Sequence, residues 1–166
     1  MKARTYKIII KLFSLILLVS CGSVNKMNFY EQTSSTELNE EVNTIKIGSS
    51  ELEVKEVLGE PDSTEEIENG TQLIYGDSTD SNLEFQIEKG TIQRYFFSDE
   101  QYNKNKNVAI GSTRQDIITK YGENYYTRDD SGTEVLGYFD KYKGIDIEFS
   151  LDEGKIIGIE VSKINI

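Results

Sequence analysis

The sequence predicts an α+β fold in which two tandem α-β-β-β units form an antiparallel sheet with short helices packed on one side. Two observations lead there. A helix-like stretch with its own start and stop signals occurs twice, at residues 47–59 and 110–122, an offset of 63 residues. Each copy is followed by strictly alternating strand text that ends in a glycine-centred hairpin, at Gly90 and at Gly154. A unit of about 50 residues cannot bury a sheet face alone, so the two are expected to share a core.

The first 20 residues read as a leader and not as part of the fold. Lys2, Arg4, Lys7 and Lys11 make a basic start, an apolar run follows, and Leu18-Val19-Ser20-Cys21 closes it with a small residue before a cysteine. This pattern resembles the lipobox of bacterial lipoproteins, which implies that Cys21 is acylated and becomes the first residue of the mature chain. Cys21 is the only cysteine among 166 residues, so no disulfide is expected. The whole chain carries 18 basic and 29 acidic residues, a net charge of −11; removing the four basic residues of the leader takes it to −15. Such a surface repels phosphate backbones, which argues against nucleic acid as a partner and leaves lipid as the means of membrane attachment. The expected location is the extracytoplasmic face of the cell membrane.

Residues 21–44, rich in Ser, Asn, Glu and Thr around the lone pair Phe29-Tyr30, read as a flexible tether. The first unit is placed at 45–98. Ser50 and Glu53 have the spacing of a capping box, Val54, Val57 and Leu58 form one apolar stripe, and Gly59 and Pro61 stop the helix. After a Glu-rich loop at 62–69, strands are expected from Gly70, Leu83 and Thr91. Leu83, Phe85 and Ile87 share one face, as do Gln93, Tyr95 and Phe97. A polar linker spans 99–107.

The second unit, 108–166, repeats the pattern with Thr113 and Asp116 as the box, Ile117, Ile118 and Tyr121 as the stripe and Gly122 as the stop. Ile147, Phe149 and Leu151 answer to the first unit's alternation, and Ile157, Ile159 and Val161 form the last strand's inner face. An Ile-Gly-Ser/Thr start, an acid-capped helix, a Leu-Gly-x-Pro stop and a strand meander resemble the SmpA/OmlA (BamE) type of outer-membrane assembly lipoprotein. The tandem arrangement is similar to β-lactamase inhibitory protein. The resemblance covers 45–97 and 108–162 and implies an envelope-assembly or inhibitory role through protein contact.

Nothing in the chain assembles a catalytic constellation. There is no histidine, which removes imidazole-based triads and the commonest zinc ligand. Ser23-Val24-Asn25-Lys26 spells the S-x-x-K of penicillin-binding enzymes, but in a tether no pocket orients it. Asp77–Asn82 offers oxygen ligands without the spacing of a calcium loop. No metal or cofactor is expected, and the chain is expected not to be an enzyme; the alternatives are an inhibitor of a secreted or periplasmic hydrolase and a carboxylate-dependent enzyme. The ten tyrosines stand out. Tyr95, Phe96, Tyr125, Tyr126, Tyr138 and Tyr142 put rings on both faces of strands, and surplus aromatics outside a core are favoured interface residues, so these six are the candidate partner-binding residues.

Overall fold

The computed structural model describes residues 26–77, 80–103 and 108–164, with the side chains of 77–81 outside the description. The leader, Cys21 and Ser23 therefore lie outside the described residues. Three helices, α1 (Lys26–Gln32), α2 (Glu51–Leu58) and α3 (Arg114–Tyr121), accompany eight strands. These are β1 (Ser63–Ile67), β2 (Gly70–Asp77), β3 (Asp80–Glu88), β4 (Thr91–Phe97), β5 (Tyr126–Asp130), β6 (Thr133–Asp140), β7 (Ile145–Asp152) and β8 (Lys155–Lys163). All eight form one antiparallel sheet in the order β1-β2-β3-β4-β8-β7-β6-β5.

Both helices within the repeated stretch form for the reasons legible in their text. Ser50 accepts from the Glu53 N–H at 3.2 Å while the Glu53 carboxylate accepts from the Ser50 N–H at 2.6 Å. Thr113 and Asp116 make the same reciprocal pair. Gly59 and Gly122 close the helices by donating to Lys55 O and Ile118 O. Each helix is then tied to a strand through a tyrosine hydroxyl: Tyr75 donates to Gly59 O at 2.9 Å and Tyr138 to Gly122 O at 2.8 Å. Val54 and Ile117 are buried against Leu73, Phe85, Tyr95, Tyr138, Ile147, Phe149 and Val161. Val57, expected on the α2 stripe, instead faces solvent, because one eight-residue helix on a flat sheet buries only a narrow line of contact.

Four strands follow each helix where three were expected. The Glu-rich 62–69 segment holds β1 and the residues after Asn124 hold β5, one at each edge of the sheet. Edge strands bury little, so β1 reads Ser-Thr-Glu-Glu-Ile with no apolar alternation to betray it. The 99–107 linker contains a short 3-10 turn, Glu100–Tyr102, whose Tyr102 ring packs 6.4 Å from Phe97.

Register shifts at three points, one of them between Tyr75 and Gly76 in the β2–β3 ladder and the other two at matching β-bulges. Ile87 pairs with Ile92 but Gln86 with Arg94; Leu151 pairs with Ile156 but Ser150 with Gly158. The extra residue is Gln93 in β4 and Ile157 in β8. Ile156 therefore enters the core and Ile157, expected there, is 45% exposed.

The largest departure is at the N-terminal side. Residues 26–44 are folded onto the body and are not a solvated tether. Leu38, Val42 and Ile45 are buried in the helix-side core, with Val42 and Ile45 exchanging backbone hydrogen bonds of 2.9 and 2.8 Å. Helix α1 lies on the opposite face of the sheet from α2 and α3, its Phe29 and Tyr30 rings 6.3 and 5.1 Å from Phe139. The helices thus occupy both sides and not one. The chain passes between the faces around the β6–β7 turn, where Thr36 donates to Phe139 O at 2.8 Å and Leu38 to Asp140 Oδ2 at 3.1 Å.

Replacing the Thr113 hydroxyl by Thr113→Ala removes one half of the α3 capping box. Equilibrium urea unfolding is expected to show a loss of about 1 kcal/mol with an unchanged m-value.

Candidate functional site

The principal cluster of buried titratable side chains among the described residues lies on the sheet face that α1 covers. One cross-strand row runs Phe96, Glu160, Glu148, Gly137, Tyr126, and the next places Asp146 beside Phe139. Gly137 is what allows the cluster to form. A Cβ there would sit 2.3 Å from Tyr126 Cζ, so only glycine lets the ring lie flat across β6 and reach Glu148. Tyr126 Oη donates to Glu148 Oε1 at 2.6 Å. Arg128 donates to both oxygens of the same carboxylate, at 3.2 and 2.6 Å. Lys26 Nζ completes the set at 2.6 Å from Asp146 Oδ2 and 3.0 Å from Glu148 Oε1. Its ammonium also stands 5.7 Å from the Tyr126 ring centre and 5.9 Å from that of Phe139.

The electrostatics follow from this packing. Burial pushes Glu148 up, but Arg128, the Tyr126 hydroxyl and Lys26 together outweigh it and hold the carboxyl at about 2. Asp146 moves the other way: burial, with Glu148 and Glu160 nearby, raises it despite the contact with Lys26. Burial works against the Lys26 charge, but Asp146 and Glu148 more than offset it, so its ammonium is held more firmly than usual. A carboxylate saturated by three partners and ionised throughout the physiological range is fitted to hold α1 in place, not to exchange protons with a substrate. Lys26, the lysine of the S-x-x-K tetrad, is thus paired with two carboxylates of β7, while Ser23 lies outside the described residues.

The six candidate aromatics do not gather into one surface. Tyr95 is 1% exposed, between Phe85 and Phe97 on the helix side, with its hydroxyl buried and unpartnered among the described residues. Tyr138 is fully buried under α3, and Tyr126 is 2% exposed beneath α1. These three are core residues, because α2 and α3 cover one face and α1 part of the other. Tyr125 is half-buried against Tyr138, with the Arg114 guanidinium 5.4 Å from its ring. Phe96 is half-buried on the α1 side of the sheet, over Gly158, where a Cβ would lie 2.7 Å from its ring. Tyr142, in the β6–β7 turn, is 94% exposed.

Three open concavities among the described residues accompany the sheet, one of 340 Å³ lying beside Ser35, Glu37, Asp140, Tyr142 and Lys143. Another of 480 Å³ lies beside Leu38, Glu40, Glu41, Lys46, Ile47 and Lys143. Glu40 there is engaged by Lys120 at 2.7 Å. A smaller one of 200 Å³ is floored by Phe96, Gly158 and Ser150 and rimmed by Ile157, Asp130 and Thr133. Among the described residues no three acidic side chains are grouped to hold a metal ion, and the Asp77–Asn82 side chains fall mostly outside the description. No described helix is long and apolar enough to cross a membrane.

No protein-family model matches the sequence, and no curated protein matches it. The fold does have solved counterparts. An extracellular protein containing a SCP domain from Bacillus anthracis superposes with a TM-score of 0.53 at 13% identity over 78% of this chain and 49% of that one. A cysteine-rich secretory protein from Staphylococcus aureus gives 0.56 at 12% identity over 79% and 49%. This chain therefore spans about half the length of those two proteins. A DUF4309 family protein, YjgB, from Bacillus subtilis gives 0.53 at 13% identity over 82% of this chain and 91% of its own. These likenesses establish a shared fold. A β-lactamase inhibitor-like protein from Streptococcus mutans is also a neighbour, but at a TM-score of 0.28 it carries no argument.

Tyr126→Phe removes one of the bonds to the Glu148 carboxylate and is expected to cost about 2 kcal/mol at neutral pH. Because the folded carboxyl titrates below its ordinary 4.5, its stabilisation is complete above that value and is lost as pH falls toward about 2. The gap between wild type and variant in urea unfolding should therefore narrow over that interval.

Proposed function

We propose that the chain is a lipid-anchored, extracytoplasmic protein-binding module without catalysis of its own, made of two tandem copies of one helix-plus-meander unit. The observation that carries the binding reading is the sheet face opposite α2 and α3. Among the described residues no helix crosses it over β1–β4, and it presents Phe96 and the bulged Ile157 around Gly158. An aromatic ring and an exposed aliphatic side chain flanked by Arg94 and Glu160, 2.6 Å apart, have the make-up of an interface centre with a polar rim. The copy reading is supported by matched capping boxes, matched tyrosine-to-helix-stop bonds and matched bulges. An extracytoplasmic setting is supported by the lipobox-like text and by neighbours described as extracellular and secretory. The non-enzymatic reading is supported by the lack of histidine and by the engagement of all three buried carboxylates among the described residues, Asp140, Asp146 and Glu148.

A photoreactive residue at Phe96 is expected to cross-link one protein in intact cells, and Ile157→Glu should abolish that adduct. The same residue at Val57, on the outer side of α2, serves as the reference; equal labelling from both positions would refute the proposed surface.

Cys21→Ser is expected to eliminate incorporation of labelled palmitate. Persistent labelling would sink the anchor.

A further inference from the structure

We infer that the β6–β7 turn, with Tyr142 at its tip, rests on the membrane surface and sets the tyrosine ring among the lipid headgroups. This rests on the proposed acylation of Cys21 and adds an orientation to it.

Tyr142 is the one large aromatic side chain that stands exposed among the described residues. It is not carried on a loose loop. Asp140 Oδ1 accepts from the Tyr142 N–H at 3.1 Å and the Lys143 N–H at 3.0 Å, and Ser35 Oγ accepts from the Lys141 N–H at 2.9 Å. The side chain of Lys143 is braced in turn by Asn39 Oδ1 at 2.6 Å. A ring projected into water by a braced turn contributes nothing to the core. A tyrosine between two lysines matches the headgroup zone, where an amphipathic ring and cationic neighbours both find partners.

The path of the chain leads to the same place. Lys26, where the described chain begins, is paired with Asp146, the second residue of β7 and just beyond this turn. Four residues lie between Cys21 and Lys26, so even a fully extended backbone spans no more than roughly 17 Å between them. An acylated Cys21 therefore holds the bilayer close to the start of β7. Helix α1 adds the exposed Met27 on this side.

Charge is mixed at both ends of the second meander, with Arg114 engaging Glu134 and Arg128 engaging Asp130 at the end away from Tyr142. The β6–β7 end has Lys141 and Lys143, the latter 3.7 Å from Asp140 and lining concavities with Glu37, Glu40 and Glu41. The opposite end, formed by the β5–β6 and β7–β8 turns, has Asp129, Asp130, Glu134, Asp152 and Glu153. Glu66, Glu68 and Glu88 lie in the turns of β1–β4 at the lysine end, so the molecule tilts onto its β5–β8 half.

The chain contains no tryptophan, so a single substitution makes a clean optical reporter. Tyr142→Trp changes a 94% exposed ring and leaves the packing alone. Ile157→Trp places the reference near the far turn, roughly 25 Å along the strands. The full chain, expressed in a lipoprotein-processing bacterium and checked by mass spectrometry for acylation of Cys21, is reconstituted in phosphatidylglycerol–phosphatidylethanolamine vesicles containing brominated lipid. The expected result is emission at shorter wavelength and strong bromine quenching at position 142, with neither at position 157. Acylated protein in which the reporter at position 142 behaves like the one at position 157 overturns the orientation and leaves the anchor standing. A chain without acyl groups on Cys21 overturns the anchor and, with it, the orientation.

Discussion

The structure depends on a short seam. Strand β4 pairs with β8 over four residue pairs, from Arg94 with Ser162 to Phe97 with Ile159. Those few pairs join two four-strand meanders into one sheet and let a single core run beneath both helices. On the helix side the seam sets Tyr95 against Val161 and Phe97 against Ile159, all buried. On the other side it sets Phe96 beside Glu160, which Arg94 bridges at 2.6 Å. Neither meander could bury its apolar face alone, and without a disulfide the union must be held by packing and backbone hydrogen bonds.

The two halves differ where the second face is concerned. In the β5–β8 half, Gly137 admits Tyr126 across the strand, Glu148 gathers Tyr126, Arg128 and Lys26, and α1 is held down as a result. In the β1–β4 half the position answering to Glu148 is Glu84, hydrogen-bonded to Gln72 at 2.9 Å, and Ile74 stands in the row that Gly137 occupies. With a side chain on Ile74 no ring can lie flat across the strand, and no helix covers this half among the described residues. Ser63 stands where Tyr126 does and Glu65 where Arg128 does, so with Ile74 in place of Gly137 the first half assembles no matching cluster.

Much of the fold is legible because local chemistry and tertiary role agree. The capping boxes, the stopping glycines and the alternation in β3 and β7 each announce their element and their inward face. The polar edges β1 and β5 are not legible, since β1 buries almost nothing and β5 buries only Tyr126 fully, so neither has reason to alternate. Helix α1 reads as tether because seven residues cannot show a full apolar stripe. Its Phe29–Tyr30 pair and the spacing of Leu38, Val42 and Ile45 are the available signals, and only the sheet they dock on makes sense of them. The candidate residues suffer from the bulges and from face parity. Ring chemistry alone assigns Tyr95, Tyr126 and Tyr142 to one group, whereas position puts the first two in opposite cores and the third in solvent.

The edges of the sheet have a meaning of their own. Both outer strands belong to the start of a meander, and both carry carboxylates: Glu65 and Glu66 on β1, Asp129 and Asp130 on β5. Unpaired backbone groups on such edges would otherwise recruit further strands from other copies. With like charges lining both borders, the sheet is finished at eight strands. Another protein can then engage it through side chains and contour, and not by extending its backbone ladder.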